Sequence, residues 1–218
     1  ESVARGHDPA FRHCHIGAPL PLMRPAIKYV PKPCIMPTRA LPKSRRDLGD
    51  LLLNKSAKAL PIWFVAGKDD AHVKELTDAQ RNWLEARGWS PKLGAVLLLP
   101  DACGGVGGAL LGVGSEDWAT QSPLLPGALP GALPPGDYRF ASTLPDPELA
   151  TLAWLAGSYR FGRYKSENDA KPKRLLLPDG VDRTRVQALA EALYLGRDLI
   201  NIPANDLGPA ELETAARE

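Results

Sequence analysis

GAVLLLPDACGGVGGALLGV, residues 94–113, decides the fold. Gly94–Leu99 is continuously apolar and is closed by Pro100, the pattern of a short strand buried on both faces. Ala109–Val113 reads as a second short strand, and Asp101–Gly108 between them is a glycine-rich turn. That connection is too tight for a helical crossover, which needs a dozen or more residues. The two strands are therefore expected to pair antiparallel. The segments on either side alternate between strand and helix, so the sheet should be mixed and flanked by helices, in the α/β class.

Upstream, ALPIWFVA (Ala59–Ala66) is rich in strand formers and stops at Gly67. Thr77 and Gln80 stand at capping-box spacing, and Gly88 sits where a helix-ending glycine belongs. Leu76, Trp83, Leu84 and Arg87 supply the expected inward stripe of that helix. Downstream, Ser122–Gly136 is a proline- and glycine-rich connection with room for single helical turns, and DYRFA (Asp137–Ala141) alternates as a half-exposed strand does. Asp146 before Pro147 marks a helix start that should carry to about Arg163. A polar loop, residues 165–171, precedes the strand Lys173–Leu177. Asp182 caps a long helix with Val186, Leu189, Ala190, Leu193 and Leu199 on its apolar side, ending before Pro203, and Gly208–Pro209 opens one more.

The ordered part is expected to begin near Lys55. Seven prolines between Pro19 and Pro42 block regular helix, so residues 1–42 read as a disordered or non-native leader. Met23 and Met36 are candidate translation starts within it. The chain has 218 residues, 44% of them hydrophobic, and a net charge of +2. Enough apolar material is present for a sizeable core, and a charge so near zero speaks against a dedicated nucleic-acid binder. No apolar run approaches the ~18 residues of a membrane-spanning helix, and no signal-peptide pattern is seen. Cys14, Cys34 and Cys103 form no CxxC pair and no disulfide framework, which points to a reducing cytoplasm.

Chemistry-bearing motifs were weighed in turn. Gly104–Gly108 invites a phosphate-loop reading, but no Lys-Ser or Lys-Thr follows at Walker spacing. Leu110 stands where the third glycine of GxGxxG would be, so a hairpin turn is the better account. His13, Cys14 and His15, with His7 and Cys34, have ligand residue types without the paired spacing of structural zinc. His72 has no visible partner and reads as a surface residue. Asp69 and Asp70 favour a local helix start, and Asp146 and Asp182 serve as caps. Trp63, Trp83, Trp89, Trp118 and Trp154 read as core or interface anchors. No catalytic, cofactor-binding or metal-binding constellation emerges, so no site residue is assigned to any of those roles.

YLGRDLINIPANDLGPAE (Tyr194–Glu211) changes the picture. Arg197, Asp198, Leu199, Asn201, Pro203, Asn205 and Pro209 fall in the order and at the offsets of the hinge of the leucine (cytosol) aminopeptidase family, the M17 metallopeptidases, which this segment resembles. ALPIWFVA, LTDAQRNWLEARGW and WLAGSYRFGRY also look like the N-terminal region of that family, so the resemblance runs from about Leu60 to the chain end. It implies residues 43–180 as a macro-domain-like N-terminal α/β domain and 181–207 as linker helix and hinge. Residues 208–218 would then start the catalytic domain. It further implies a cytoplasmic hexamer whose catalytic domain holds two divalent metals, zinc or manganese, and removes N-terminal residues from peptides. The family's Asn-Thr-Asp-Ala-Glu-Gly-Arg-Leu and Gly-Lys-Gly motifs do not occur here, so this chain alone is expected to be inactive. Asn201 and Asn205 match the hinge and would be structural. The competing reading is a non-catalytic macro-like binding or oligomer-assembly module; neither nucleic acid nor membrane is expected as a partner.

Overall fold

The computed structural model describes residues 48–67, 70–164 and 171–217, all within one compact unit spanning 38–218. The leader, its histidines and Cys14 and Cys34, Asp69, and most of the 165–171 loop lie outside the described residues. Six strands form one sheet: β1 (Leu52–Leu53), β2 (Leu60–Val65), β3 (Val96–Pro100), β4 (Val106–Gly112), β5 (Gly136–Phe140) and β6 (Lys173–Leu176). Their spatial order is β1-β6-β5-β2-β4-β3. All neighbours are parallel except β3 and β4, which pair antiparallel with Leu97 opposite Leu110 and Leu98 opposite Ala109. The mixed sheet expected from the tight Asp101–Gly108 connection is what forms.

Helices cover both faces. On one side lie α1 (Ala71–Lys74) and α2 (Asp78–Ala86). On the other lie α3 (Trp118–Gln121), α4 (Leu129–Ala132), α5 (Pro147–Ser158) and α6 (Arg183–Asn201), with α7 (Pro209–Arg217) ending the chain. The period-two alternation of strands divides the side chains between two cores. Ile62, Phe64, Ala109, Leu111, Tyr138 and Leu175 join Trp154, Leu155, Val186 and Tyr194 in the larger one. Val65, Leu97, Leu99 and Leu110 join Leu76 in the smaller. Within the larger core, Phe64 stacks on Trp118 at 5.3 Å and meets Phe140 edge-on at 5.4 Å, and Phe140 meets Trp154 at 6.2 Å.

Local chemistry sets the element ends. Thr77 Oγ1 accepts from Gln80 N while Gln80 Oε1 accepts from Thr77 N, a complete capping box. Gly88 ends α2 with a φ of +57°, the left-handed conformation that favours glycine. Asp146 and Asp182 accept from Leu149 N and from Thr184 and Arg185 N, as caps should. Helix α5 passes so close to the Leu125–Ala128 3-10 turn that a Cβ at Gly157 would stand 1.9 Å from the Gly127 carbonyl oxygen.

Five expectations need correction. An ordered segment precedes Lys55: a 3-10 turn at Leu48–Leu51 and strand β1, held by Arg183, which donates to the carbonyls of Gly49 and Leu52 and to Asn54 Oδ1. No local pattern announces a two-residue strand whose stabilisation comes from 130 residues away. Strand β3 is an edge strand with alternating burial. Its outward carbonyls at Leu98 and Pro100 accept from Trp83 Nε1 and Gln80 Nε2, which covers an edge that would otherwise be open to pairing. Trp83 and Arg87 therefore do not point inward. Trp83 lies over the edge, 41% exposed, with the Arg87 guanidinium 5.5 Å from its ring. Helix α5 stops at Ser158, not near Arg163, because Tyr159 turns to an extended ψ of 136° and carries its side chain to α6. Finally, Leu189 and Leu193 lie outside the core, which takes Val186, Ala190 and Tyr194 instead.

Candidate functional site: the hinge after the long helix

Residues that sequence reasoning singled out on α6 converge with two tyrosines it had not singled out. Tyr159, 7% exposed, follows the end of α5. Its hydroxyl donates to Asp198 Oδ1 at 2.6 Å and accepts from Asn201 Nδ2 at 3.1 Å. Arg197 lays its guanidinium 4.3 Å from the Tyr159 ring centroid and donates to the Ala156 carbonyl at 2.7 Å. Helix end and cation are thereby joined, since α5's last carbonyls carry partial negative charge. One turn back along α6, Tyr194 meets Tyr159 edge-on at 5.1 Å and donates to the Leu155 carbonyl. Burial first, then the hydrogen bond to the Asp198 carboxylate, pushes the Tyr159 phenol above its ordinary range, so the hydroxyl stays a donor at neutral pH.

Beyond this knot the helix ends at Asn201. Pro203 cannot extend it, and its carbonyl accepts from Asp206 N and Leu207 N to close a turn. Tyr164 donates to Asp206 Oδ2 at 2.5 Å. Gly208 N donates to Glu211 Oε2, and Pro209 opens α7. Two of the sequence segments that carry the family resemblance, WLAGSYRFGRY and RDLINIPAND, are thus in direct contact. Arg197, Asp198 and Asn201 share one cluster; Leu199 is half-buried, and Asn205 and Pro209 are exposed. Tyr159 and Tyr164 could have been flagged as the polar-tipped aromatics just past a helix end.

The other candidates perform structural work. In the 101–108 turn, Asp101 Oδ1 accepts from Cys103 N at 2.8 Å and Gly105 N at 2.7 Å. A carboxylate of the chain itself thus occupies the backbone donors a phosphate would need. An open cleft of about 320 Å³ lies at the C-terminal ends of β2, β4 and β5, lined by Phe64, Asp70, His72, Glu116, Trp118 and Ser142 among others. Its polar groups are largely committed: Asp70 accepts from Ala66 N and His72 N, and Ser142 Oγ from Phe64 N. His72, expected on the surface, is half-buried there, with no hydrogen-bond partner for Nδ1. Trp118 and Trp154 are buried core residues, Trp63 and Trp89 half-buried. Among the described residues no group of three or more His, Cys, Asp or Glu side chains converges as a metal ion requires. The metals of a dinuclear peptidase do not fit these residues.

The model of the M17 aminopeptidase N-terminal domain matches residues 60–178, more than half of the chain. The chain belongs to the M17 aminopeptidases. A probable cytosol aminopeptidase from Roseiflexus castenholzii is 41% identical over an alignment covering 37% of this chain and 21% of that protein. The cytosol aminopeptidase of Coxiella burnetii superposes with a TM-score of 0.66 at 30% identity, covering 77% of this chain and 37% of the other. A mutant of tomato leucine aminopeptidase, 21% identical with a TM-score of 0.53, covers 74% of this chain and 39% of its own and shares the fold. This M17 chain therefore spans about a fifth of the length of its Roseiflexus relative and just over a third of the Coxiella enzyme. What it matches is the N-terminal domain. No described helix is long and apolar enough to cross a membrane.

Proposed function

We propose that this chain is the N-terminal portion of a leucyl-type metalloaminopeptidase that hydrolyses N-terminal amino acids from peptides in the cytoplasm. Residues 43–180 are its α/β domain, 181–207 its linker helix and hinge, and 208–218 the start of its catalytic domain. The observation that carries this reading is the family match across 60–178 running into a hinge knotted by Tyr159, Asp198 and Asn201. Two divalent metals, zinc or manganese, would be held by the catalytic domain, where they polarise the scissile carbonyl and activate water. The residues of this chain hold the hinge geometry and touch no substrate, so this chain alone is inactive. A homohexamer is the assembly proposed for the full-length enzyme.

The test is to read the coding sequence past Glu218 and express what it encodes. The reading expects Gly-Lys-Gly and Asn-Thr-Asp-Ala-Glu-Gly-Arg-Leu motifs to follow. It also expects hydrolysis of leucine p-nitroanilide that is lost with EDTA and restored by manganese or zinc, with residues 1–218 showing none. A stop codon, or unrelated sequence without metal motifs, would leave a binding or assembly module in its place.

A further inference from the structure

The outer side of α6 is built like an inner one. Leu189, Leu193, Gly196 and Ile200 recur at i, i+4, i+7 and i+11, a single stripe along the helix. Leu189 is 42% exposed, Leu193 44% and Ile200 84%. The opposite side is already apolar and buried through Val186, Ala190 and Tyr194. Helix α2 shows what a water-facing side looks like in this same chain: Asp78, Arg81, Asn82 and Glu85 are all exposed. A helix apolar on both sides is ordinarily a buried helix.

We infer that this stripe is an interdomain seat, covered by the polypeptide that follows α7. The inference rests on the proposed reading that the chain is the front part of a longer aminopeptidase. Three observations choose this occupant over a second copy. The exposed fractions amount to roughly two whole aliphatic side chains, far below the ~800 Å² per partner that stable association of separate molecules buries. A tethered segment meets a surface of that size without the cost of bringing two molecules together. The polypeptide leaves from the same place: Asp206, six residues past Ile200, is bonded to Tyr164. That bond fixes the turn from which α7 departs, and α7 carries an exposed apolar residue of its own, Leu212 at 49%. The Coxiella enzyme, of which this chain covers 37%, has ample further polypeptide to supply the cover.

Cysteine labelling tests it. Cys14, Cys34 and Cys103 are replaced by serine, and Ile200→Cys and Glu191→Cys are introduced singly. These positions are nine residues apart and so face opposite ways round the helix. Both variants are made in residues 1–218 and in the longer protein, and unfolding curves establish that each is folded. In residues 1–218 a maleimide should modify the two at similar rates. In the longer protein the Ile200→Cys rate should fall at least tenfold while the Glu191→Cys rate holds. Equal rates in the longer protein overturn the seat. Protection of Ile200→Cys in residues 1–218 that grows with protein concentration places a second copy there and overturns it as well. A reading frame without metal motifs beyond Glu218 refutes the aminopeptidase reading before any labelling, and the seat falls with it.

Discussion

Alanine at Gly157 would place a methyl group 1.9 Å from the Gly127 carbonyl oxygen and 2.7 Å from its carbon. Non-bonded heavy atoms sit comfortably at about 3.5–4.0 Å, so α5 and the Leu125–Ala128 turn would have to part by well over an ångström. The obstacle is backbone, which cannot swing aside as a side chain tip can. Separation would also disturb Trp154 and Leu155, both 0% exposed on the same helix. Overpacking of this kind costs ~1–3 kcal/mol or more; against it stands the gain of ~1 kcal/mol from replacing a mid-helix glycine by alanine. We expect a net loss of ~2 kcal/mol, which for a chain of this size lowers Tm by ~4–8 °C. Gly196→Ala is the internal control. It also lies inside a helix, but nothing stands within 4 Å of its Cβ position, so only the propensity gain remains and stability should rise by up to ~1 kcal/mol. Urea unfolding of both variants in residues 1–218 reads the difference as opposite shifts of the midpoint at unchanged m. A Gly157→Ala protein as stable as the parent would refute the close approach of α5 to the turn.

Three further outcomes follow from the same geometry. Tyr159→Phe removes a donor from the half-buried Asp198 carboxylate and should cost ~1.5–3 kcal/mol. A double-mutant cycle with Asp198→Ala should show coupling of at least ~0.5 kcal/mol, while Arg217→Ala, breaking the exposed Glu213 pair, should change stability by less than ~1 kcal/mol. Thr77→Ala should lose ~1 kcal/mol through the capping box, again read by urea unfolding. Burial pushes the Tyr138 phenol from 10.0 up to about 12. The folded state therefore keeps a proton that the unfolded state releases first, and this contribution is intact below pH 10 and lost as pH rises toward about 12. Urea midpoints measured across that interval should fall with pH, and Tyr138→Phe should fall less steeply.

What the sequence made legible was local. The Thr77 box, the Asp146 and Asp182 caps, the Gly88 stop and the Pro203 break each depend on residues within four positions of one another, and all stand where the pattern put them. Errors arose where the deciding partner is distant. Strand β1 exists because Arg183 reaches back to it. Trp83 faces outward because an edge carbonyl at Leu98 awaits its indole. Leu189 and Leu193 satisfy the apolar period of α6 as well as Val186 does, since periodicity reports which residues are apolar and says nothing of which side is covered. The two cores fill the side toward Val186 and leave the other open.

The hinge lies between these cases. Its spacing was visible, because Arg197, Asp198 and Asn201 occupy adjacent turns of one helix; its purpose was not, because Tyr159 comes from another element 39 residues earlier. The physical logic joins them. A helix end leaves carbonyls unsatisfied, and α5 offers its Ala156 carbonyl to Arg197. The chain that continues from α5 then supplies Tyr159 to the two residues beside that arginine, and Tyr164 to the turn after Pro203. The direction in which α7 leaves is therefore set by hydrogen bonds to the α/β domain, not by the loop's own preferences. A linker fixed in this way can present an apolar stripe at a constant angle to whatever follows it, as a two-domain enzyme requires if its second domain is to dock in one orientation.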